Sequence, residues 1–329
     1  MNEPDSELIS LIREQLSLVK KVLIISHQRP DGDAIGSLLA VGLALISSGK
    51  DVQMVLKDGV PANFRFLDGS ELVITKPSGK FDYVIVVDSA EIERTGTQLE
   101  NTQADLNIDH HKTNTYFAKI NLVESQEVAT AAILAKYLPA LGYQIDKPIA
   151  NALLAGIVTD TIGFRTTNVN PQMFRIVADL MEHGGTLADI YYRTLTQQSI
   201  EAARYWGAGL YKIKMEDGLV WTTLSLKERY AAGYAARDDA DLVKILSAIE
   251  GAKVAIILTE QTEGYVKISW RLCGGAETNI DVSTIAQKFG GGGHKAAAGA
   301  DIKGKLDEVL KKVLVDTKLS MDHVKETIA

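Results

Sequence analysis

Residues 26–37 read SHQRPDGDAIGS and bring His27, Asp31 and Asp33 close together around Pro30 and Gly32. Three further stretches carry the same residue types: Asp88 ends FDYVIVVD, Asp109, His110 and His111 end LNIDHH, and Asp160 lies in GIVTDTIGF. Each piece alone has an ordinary reading. Asp-Gly-Asp is a turn, and Asp33 could simply cap the helix that follows. Asp88 could be a loop acid, the histidine pair an exposed pair, and Asp160 a helix-end residue. Taken together they read differently. Asp31, Asp33, Asp88 and Asp160 gathered with histidines would repel one another unless cations neutralised them. Mixed imidazole and carboxylate donors suit divalent first-row ions. Two such ions, roughly 3.5–4 Å apart and bridged by one carboxylate, form a clamp that cleaves phosphoesters.

Positioning these groups requires a particular framework. Residues 22–26 (VLIIS) are a short continuous apolar run, as in a strand covered on both faces. Residues 51–57 give a second strand, 81–90 contain a third, and 106–109 a fourth. Between and after them, 33–48 read as a buried helix stopped by Gly49, with further helices near 126–141, 147–159 and 171–183, the last stopped by Gly184-Gly185. Ahead of them, Leu8, Ile9, Ile12, Leu16 and Val19 share one face of an N-terminal helix. The alternation predicts an α/β fold with a doubly wound, mostly parallel sheet. In such sheets ligands sit outside the carboxyl ends of the strands, which is where His27, Asp88 and the Asp109 to His111 run fall.

Residues 189–206 contain no glycine or proline and read as a helical connector. The expected organisation is a catalytic domain over 1–190, a connector over 191–206 and a smaller α+β domain over 207–329. In the last, 219–226, 252–261 and 264–272 read as strands, with a turn at Glu263-Gly264. A helix over 281–289 precedes GGGGHKAAAG (290–299), and a final helix starts near 305. The glycine run is neither a Walker A loop nor G-x-G-x-x-G. Its bare N–H groups, at Gly291, Gly292 and Gly293, could cradle an anion, with His294 and Lys295 as added donors. The alternative is a plain flexible loop. Arg271, near a strand end, is either an anion ligand or a surface arginine. His183 and His323 lie outside every motif and read as surface or structural residues.

Composition bounds the rest. Of 329 residues, 46% are hydrophobic and 23% charged, ordinary for a globular chain. The net charge of −7, from 42 acids and 35 bases, argues against a broad basic face for long duplex nucleic acid. Small phosphorylated ligands stay open, because cations can supply positive charge. The single cysteine, Cys273, excludes an internal disulfide framework and reads as a half-buried strand residue. The acidic, amphipathic N-terminus is no signal peptide, and the longest apolar stretches fall short of a membrane span. A cytoplasmic location without membrane contact is expected.

The ordered set SHQRPDGDAIGS, VVD, DHH and GIVTDT, followed by GGGGH, resembles the DHH phosphoesterase superfamily with its DHHA1 C-terminal domain. The resemblance runs over nearly the whole chain. Its size and motif order are most similar to the stand-alone oligoribonuclease (nanoRNase)/pAp phosphatase group. The resemblance implies a DHH domain followed by a DHHA1 domain, and two divalent ions, usually manganese. It places His27 and Asp31 on one ion, Asp33, His110 and Asp160 on the other, and Asp88 between them. His111 would contact the scissile phosphate, and Asp109 would orient a neighbouring histidine. Arg271, His294 and the glycine run would hold the nucleotide and its terminal phosphate. Ser269-Trp270-Arg271-Leu272 departs from the family's usual S-F/L-R-S, which removes one serine contact.

The implied activity is hydrolysis of short 5′-phosphorylated oligoribonucleotides and of 3′-phosphoadenosine 5′-phosphate (pAp). A cyclic-di-AMP or pApA phosphodiesterase is the alternative within enzymes. A catalytically inactive nucleotide-binding regulator is the alternative outside them, disfavoured because all six expected ligand positions carry His or Asp. Members of the superfamily are often dimers, so a homodimer is the expected assembly.

Overall fold

The computed structural model describes residues 6–96, 103–273 and 279–326; the side chains of Ser6 and of 322–326, His323 among them, lie outside the described residues. The chain divides into two compact units, Met1–Gln197 and Gln198–Ala329.

Among the described residues, the first unit is built on six strands in the order β3-β2-β1-β4-β5-β6, and every neighbouring pair runs parallel. They are β1 (Lys21–Ile25), β2 (Asp51–Val55), β3 (Val73–Ile74), β4 (Tyr83–Val87), β5 (Leu106–Asp109) and β6 (Ile120–Val123). The short β3 and the partly exposed β6 carry weak signals and were not apparent from the sequence pattern. The helices are α1 (Ser6–Leu18), α2 (Gly32–Ser47), α3 (Thr130–Ala140), α4 (Lys147–Asp160), α5 (Pro171–Glu182) and α6 (Leu187–Tyr191). Strand side chains alternate between two cores, as a pleated strand requires. Val22, Ile24, Ile85 and Val87 join the larger core with the helices. Leu23, Ile25, Val84 and Val86 pack in a smaller cluster with Ala104 and Ala118, against Phe81, Ile92 and Phe117 from connecting segments.

Helices α2 and α4 approach unusually closely, because glycines replace side chains at their crossing. A Cβ on Gly36 would fall 2.3 Å from the Ala152 carbonyl oxygen, and one on Gly156 would fall 2.7 Å from Asp33 Oδ1. A Cβ on Gly32 would run into the Thr159 side chain at 2.2 Å. This contact matters beyond packing, since α2 carries Asp33 and α4 ends on Asp160.

Residues 189–206 are not one continuous helix. Helix α6 runs into a π-helical turn at Tyr192–Thr196, Gln197 is extended, and Ser199 caps α7 (Ile200–Leu210) by accepting from the Ala202 N–H.

The second unit holds a mixed sheet in the order β11-β12-β10-β9-β8-β7. Its strands are β7 (Lys214–Glu216), β8 (Leu219–Leu224), β9 (Val254–Thr262), β10 (Tyr265–Leu272), β11 (Gly292–His294) and β12 (Ala297–Lys303). Helices α8 (Leu226–Ala232) and α9 (Leu242–Leu246) join the parallel pair β8 and β9. Helices α10 (Val282–Gln287) and α11 (Leu306–Glu326) cover the other face, where the buried Trp270 indole donates to Thr317 at 3.2 Å. Cys273 is fully buried rather than half-buried, and burial pushes its thiol up to about 11. Among the described residues, no helix is long and apolar enough to cross a membrane.

Gly36→Ala is expected to cost about 1–3 kcal/mol, the usual penalty for forcing atoms into a packed contact. The measurement is the urea midpoint at unchanged slope. A midpoint equal to that of the unaltered chain would mean that α2 and α4 part freely at this crossing.

Candidate metal centre

Strands β1 and β4 are neighbours, but the sheet continues from them in opposite directions, through β2 and β3 on one side and β5 and β6 on the other. Their carboxyl ends therefore open a crevice that no crossover fills, the place where ligands bind in this class of sheet. His27 leaves β1 into it, and Asp88 leaves β4. Asp88 takes a left-handed backbone conformation, φ 52°, which a non-glycine residue adopts at a cost but which Asp tolerates better than most. Asp109 closes β5, and His110 and His111 follow.

Asp31 and Asp33 divide the capping work in a way the local sequence does not suggest. Asp31, not Asp33, caps α2, its Oδ1 accepting from the N–H groups of Asp33 and Ala34 at 3.1 Å each. Asp33 instead serves α3, whose own N-cap residue Ala129 has no side-chain acceptor. Asp33 Oδ2 accepts from the Thr130 N–H at 2.7 Å and Oδ1 from the Ala131 N–H at 2.9 Å. A helix N-terminus thus meets a buried carboxylate supplied by another helix.

All six predicted ligand positions converge. His27 Nε2 stands 3.8 Å from Asp31 Oδ1 and 3.5 Å from Asp88 Oδ2. His110 Nε2 stands 3.9 Å from Asp33 Oδ2, 3.8 Å from Asp88 Oδ1 and 3.6 Å from Asp160 Oδ2. Two groups of donors share the six positions, His27 with Asp31 and Asp88, and His110 with Asp33 and Asp160; a third, overlapping group joins Asp88 and His110 to His111. Asp88 offers one oxygen toward each of the first two. These separations are too long for hydrogen bonds. They match donors that each lie about 2.1 Å from a shared ion and hence roughly 3–4 Å from one another. The other ring nitrogens are tied to the main chain: His27 Nδ1 meets the Gln28 carbonyl at 2.9 Å, and His110 Nδ1 lies 3.4 Å from that of Glu127. Nε2 is left facing the carboxylates in both, the arrangement usual for metal-ligating histidines.

The electrostatics ask for cations. Burial, then the charges of Asp88, Asp160 and Asp31, hold Asp33 well above the usual carboxylate range. Burial likewise lifts Asp160 to about 6. Burial opposes ionisation of Asp88 as well, but the nearby His27 ring, 3.5 Å away, and the positive potential of His111 and His110 overcome it and bring Asp88 to about 2. Burial and mutual repulsion therefore oppose the ionisation of Asp31, Asp33 and Asp160 beside Asp88. Divalent ions between the two groups would remove that conflict.

His111 lies beside the same donors, its Nδ1 3.8 Å from Asp88 Oδ1, but that nitrogen is already engaged. Its Nδ1 is held by Asp109 Oδ1 at 2.7 Å, and that hydrogen bond, against burial, raises its pKa to about 8. Asp109 is itself fixed by Asn114, whose amide donates to Asp109 Oδ2 at 2.6 Å and to Asn107 Oδ1 at 2.8 Å. Neither asparagine stood out in the sequence, and nor did Thr130, whose hydroxyl donates to Asp88 Oδ1 at 2.9 Å. The T-N dipeptide shortly after DHH was the available signal for Asn114. Thr130 offered none, because its contact to Asp88 spans 42 residues. His183 is exposed, its Nδ1 turned to the Asp179 carbonyl at the end of α5.

In the second unit the glycine run is not a loop. Gly292–His294 form the edge strand β11, paired antiparallel with Gly299, Ala298 and Ala297. Gly291 and Gly293 are needed for this approach, since their Cβ atoms would fall 2.1 Å and 2.4 Å from the carbonyl oxygens of Gly299 and Ala297; a Cβ on Gly292 would meet nothing. Ala297 pairs with His294 on one side and Arg271 on the other. Directly paired residues share a sheet face, so Arg271 and His294 point the same way from adjacent positions. Arg271 donates to the Trp270 carbonyl at 3.1 Å and is half-buried.

A family model described as DHH family, N-terminal domain, matches residues 21–157, and one described as DHHA1 domain matches residues 228–315. Over 315 residues the chain is 36% identical to the bifunctional oligoribonuclease and PAP phosphatase NrnA of Thermus thermophilus, a match covering 94% of this chain and 93% of that protein. Over 181 residues it is 28% identical to a probable manganese-dependent inorganic pyrophosphatase of Bacillus cereus, covering 53% of this chain and 58% of that one. The crystal structure of an exopolyphosphatase-related protein from Bacteroides fragilis superimposes with a TM-score of 0.89 at 24% identity, covering 99% of both chains. That last likeness bears on fold alone.

In metal-free protein, His111 should titrate near 8, and Asp109→Asn should bring its midpoint down toward the ordinary value of about 6.5. Because the folded-state pKa is the higher one, the stabilisation from this pair is complete below about 6.5 and is lost as pH rises through about 8. Imidazole NMR shifts followed against pH measure the midpoint; one that stays near 8 in the variant would remove Asp109 as its cause.

Proposed function

The chain belongs to the DHH family and carries a DHHA1 domain, and on that premise we propose that it is a two-cation phosphohydrolase acting on short 5′-phosphorylated oligoribonucleotides and pAp. The observation that carries this reading is Asp88, with one oxygen toward the His27 group and the other toward the His110 group. A carboxylate so placed is a bridge for two ions. His27, Asp31 and Asp88 would hold one, and Asp33, Asp88, His110 and Asp160 the other. When bound, divalent cations, for which manganese is the choice consistent with the pyrophosphatase relative, would activate water and neutralise charge on the phosphoryl group.

The chain's own groups supply the rest. His111, whose protonated form is favoured by its hydrogen bond to Asp109, keeps Nε2 to meet a phosphoryl oxygen or the leaving oxygen. Thr130 fixes the orientation of Asp88 through its hydroxyl. Arg271 and His294, on one face of the second sheet, suit a terminal phosphate, Arg271 by its planar fork and His294 beside a strand whose glycines keep side chains out of the way. The net charge of −7 fits a small substrate better than a long duplex.

The decisive assay offers purified protein, with manganese, four substrates: pAp, pApA, short 5′-phosphorylated RNAs and cyclic-di-AMP. Cleavage of pAp and the shortest RNAs is expected, with activity lost in Asp88→Ala and in chelator and restored by manganese. Preferential cleavage of cyclic-di-AMP would move the protein to cyclic-dinucleotide turnover. Full activity in chelator would end the two-cation reading.

A further inference from the structure

The donor set is close to charge balance, and that leaves a gap. Asp31, Asp33, Asp88 and Asp160 match the charge of two divalent ions. An anionic phosphoryl group arriving there would meet little net positive charge from these groups. A further cation at the rim would supply it, and the loop after β4 provides one.

That loop is held on both sides. Asn107 and Asn114 donate to the Ser89 carbonyl at 3.3 Å and 3.4 Å, and Thr115 donates its N–H to the Ala90 carbonyl at 3.0 Å. A single helical turn, Ile92–Thr95, follows and ends on Gly96, whose left-handed φ of 56° lets the chain close. The Arg94 carbonyl accepts from the Gln28 N–H at 2.7 Å, one residue from His27. Gly96 lies so close to Gln28 that a Cβ there would fall 1.7 Å from its Nε2. Arg94 is thereby anchored to the His27 turn. Its side chain is exposed. Its positive charge also bears on His111, opposing the upward pull of Asp109 and Asp88. Arg165, five residues after Asp160, is engaged instead by the Ile162 carbonyl at 3.0 Å.

We propose that Arg94 is a phosphate-binding residue of this centre, its guanidinium receiving non-bridging oxygens of the group under attack, beside His111. The assignment rests on the phosphohydrolase reading above. Arginine suits the task because its fork can hold two oxygens and its charge survives at any working pH.

The test compares the unaltered chain with Arg94→Met and Arg94→Lys, all loaded with manganese. Two quantities are read: kcat/KM on pAp, and the dissociation constant of inorganic phosphate by calorimetry. Arg94→Met should lower kcat/KM by about 10²–10³-fold, the loss typical of removing one donor to a developing oxyanion. It should weaken phosphate at least tenfold or so, with Arg94→Lys between, and leave manganese stoichiometry and thermal midpoint unchanged. If Arg94→Met stays within about threefold of the unaltered chain in both quantities, the assignment is wrong. If the unaltered chain cleaves no phosphoester yet loses phosphate affinity in Arg94→Met, the assignment stands and the substrate reading fails.

Discussion

Buried negative charge is the constraint around which the first unit is organised. Asp33 and Asp88 are almost completely buried, and Asp109 completely so. A carboxylate in such surroundings is tolerable only when hydrogen bonds or cations compensate it. Each of the three has its own compensation. Asp109 has His111 and Asn114. Asp33 has the N-terminus of α3. Asp88 has Thr130 and the flanking histidines, and its two oxygens still face the two donor groups. The elements that deliver these partners, β5, α3 and α4, are therefore fixed as much by electrostatics as by apolar packing. The glycine crossing of α2 and α4 follows from the same need. Asp33 and Asp160 must stand on one side of His110, and side chains at Gly32, Gly36 and Gly156 would push their helices apart.

Much of this was legible before any coordinates. Several continuous apolar runs that each end in Asp or His are a strong signal together, because the strand ends deliver their charges to one edge of the sheet. His27, Asp88 and His110 were found that way, and the structure brings them together with Asp31, Asp33 and Asp160. What stayed hidden depended on partners distant in the chain. Thr130 contacts Asp88 across 42 residues and Asp33 across 97, and no local pattern reports either contact. The capping partners are hidden for the same reason. Local rules give Asp33 to α2, whereas the fold gives Asp31 to α2 and Asp33 to α3. The strands β3 and β6 are short or lie at the sheet edge, where apolar patterning is weakest.

The glycine run of the second unit shows a different limit. Four consecutive glycines predict freedom, and a loop was the natural expectation. The structure uses the missing side chains for close approach instead. Gly291 and Gly293 lie almost in contact with carbonyl oxygens of β12, and the run becomes a strand. The consequence is a fixed row, Arg271, Ala297 and His294, across neighbouring strands. A loop could move its histidine; an edge strand sets it in register with the arginine.

The left-handed Asp88 joins the two themes of charge and backbone. A residue that simply continued β4 would point its side chain into one of the two cores, because strand side chains alternate between them. Turning the backbone to φ 52° directly after Val87 releases the carboxylate from that alternation and sets it across the crevice. The same turn sends the chain over the crevice toward the His27 segment, where the Arg94 carbonyl meets Gln28. One local departure from strand geometry thus gives both the bridging carboxylate and the path of the loop that carries the arginine. Such a conformation costs of order 1 kcal/mol in isolation and persists only where surrounding contacts determine it. Here Thr130 on the carboxylate and the Asp88 N–H donating to the Ile108 carbonyl at 2.9 Å are those contacts.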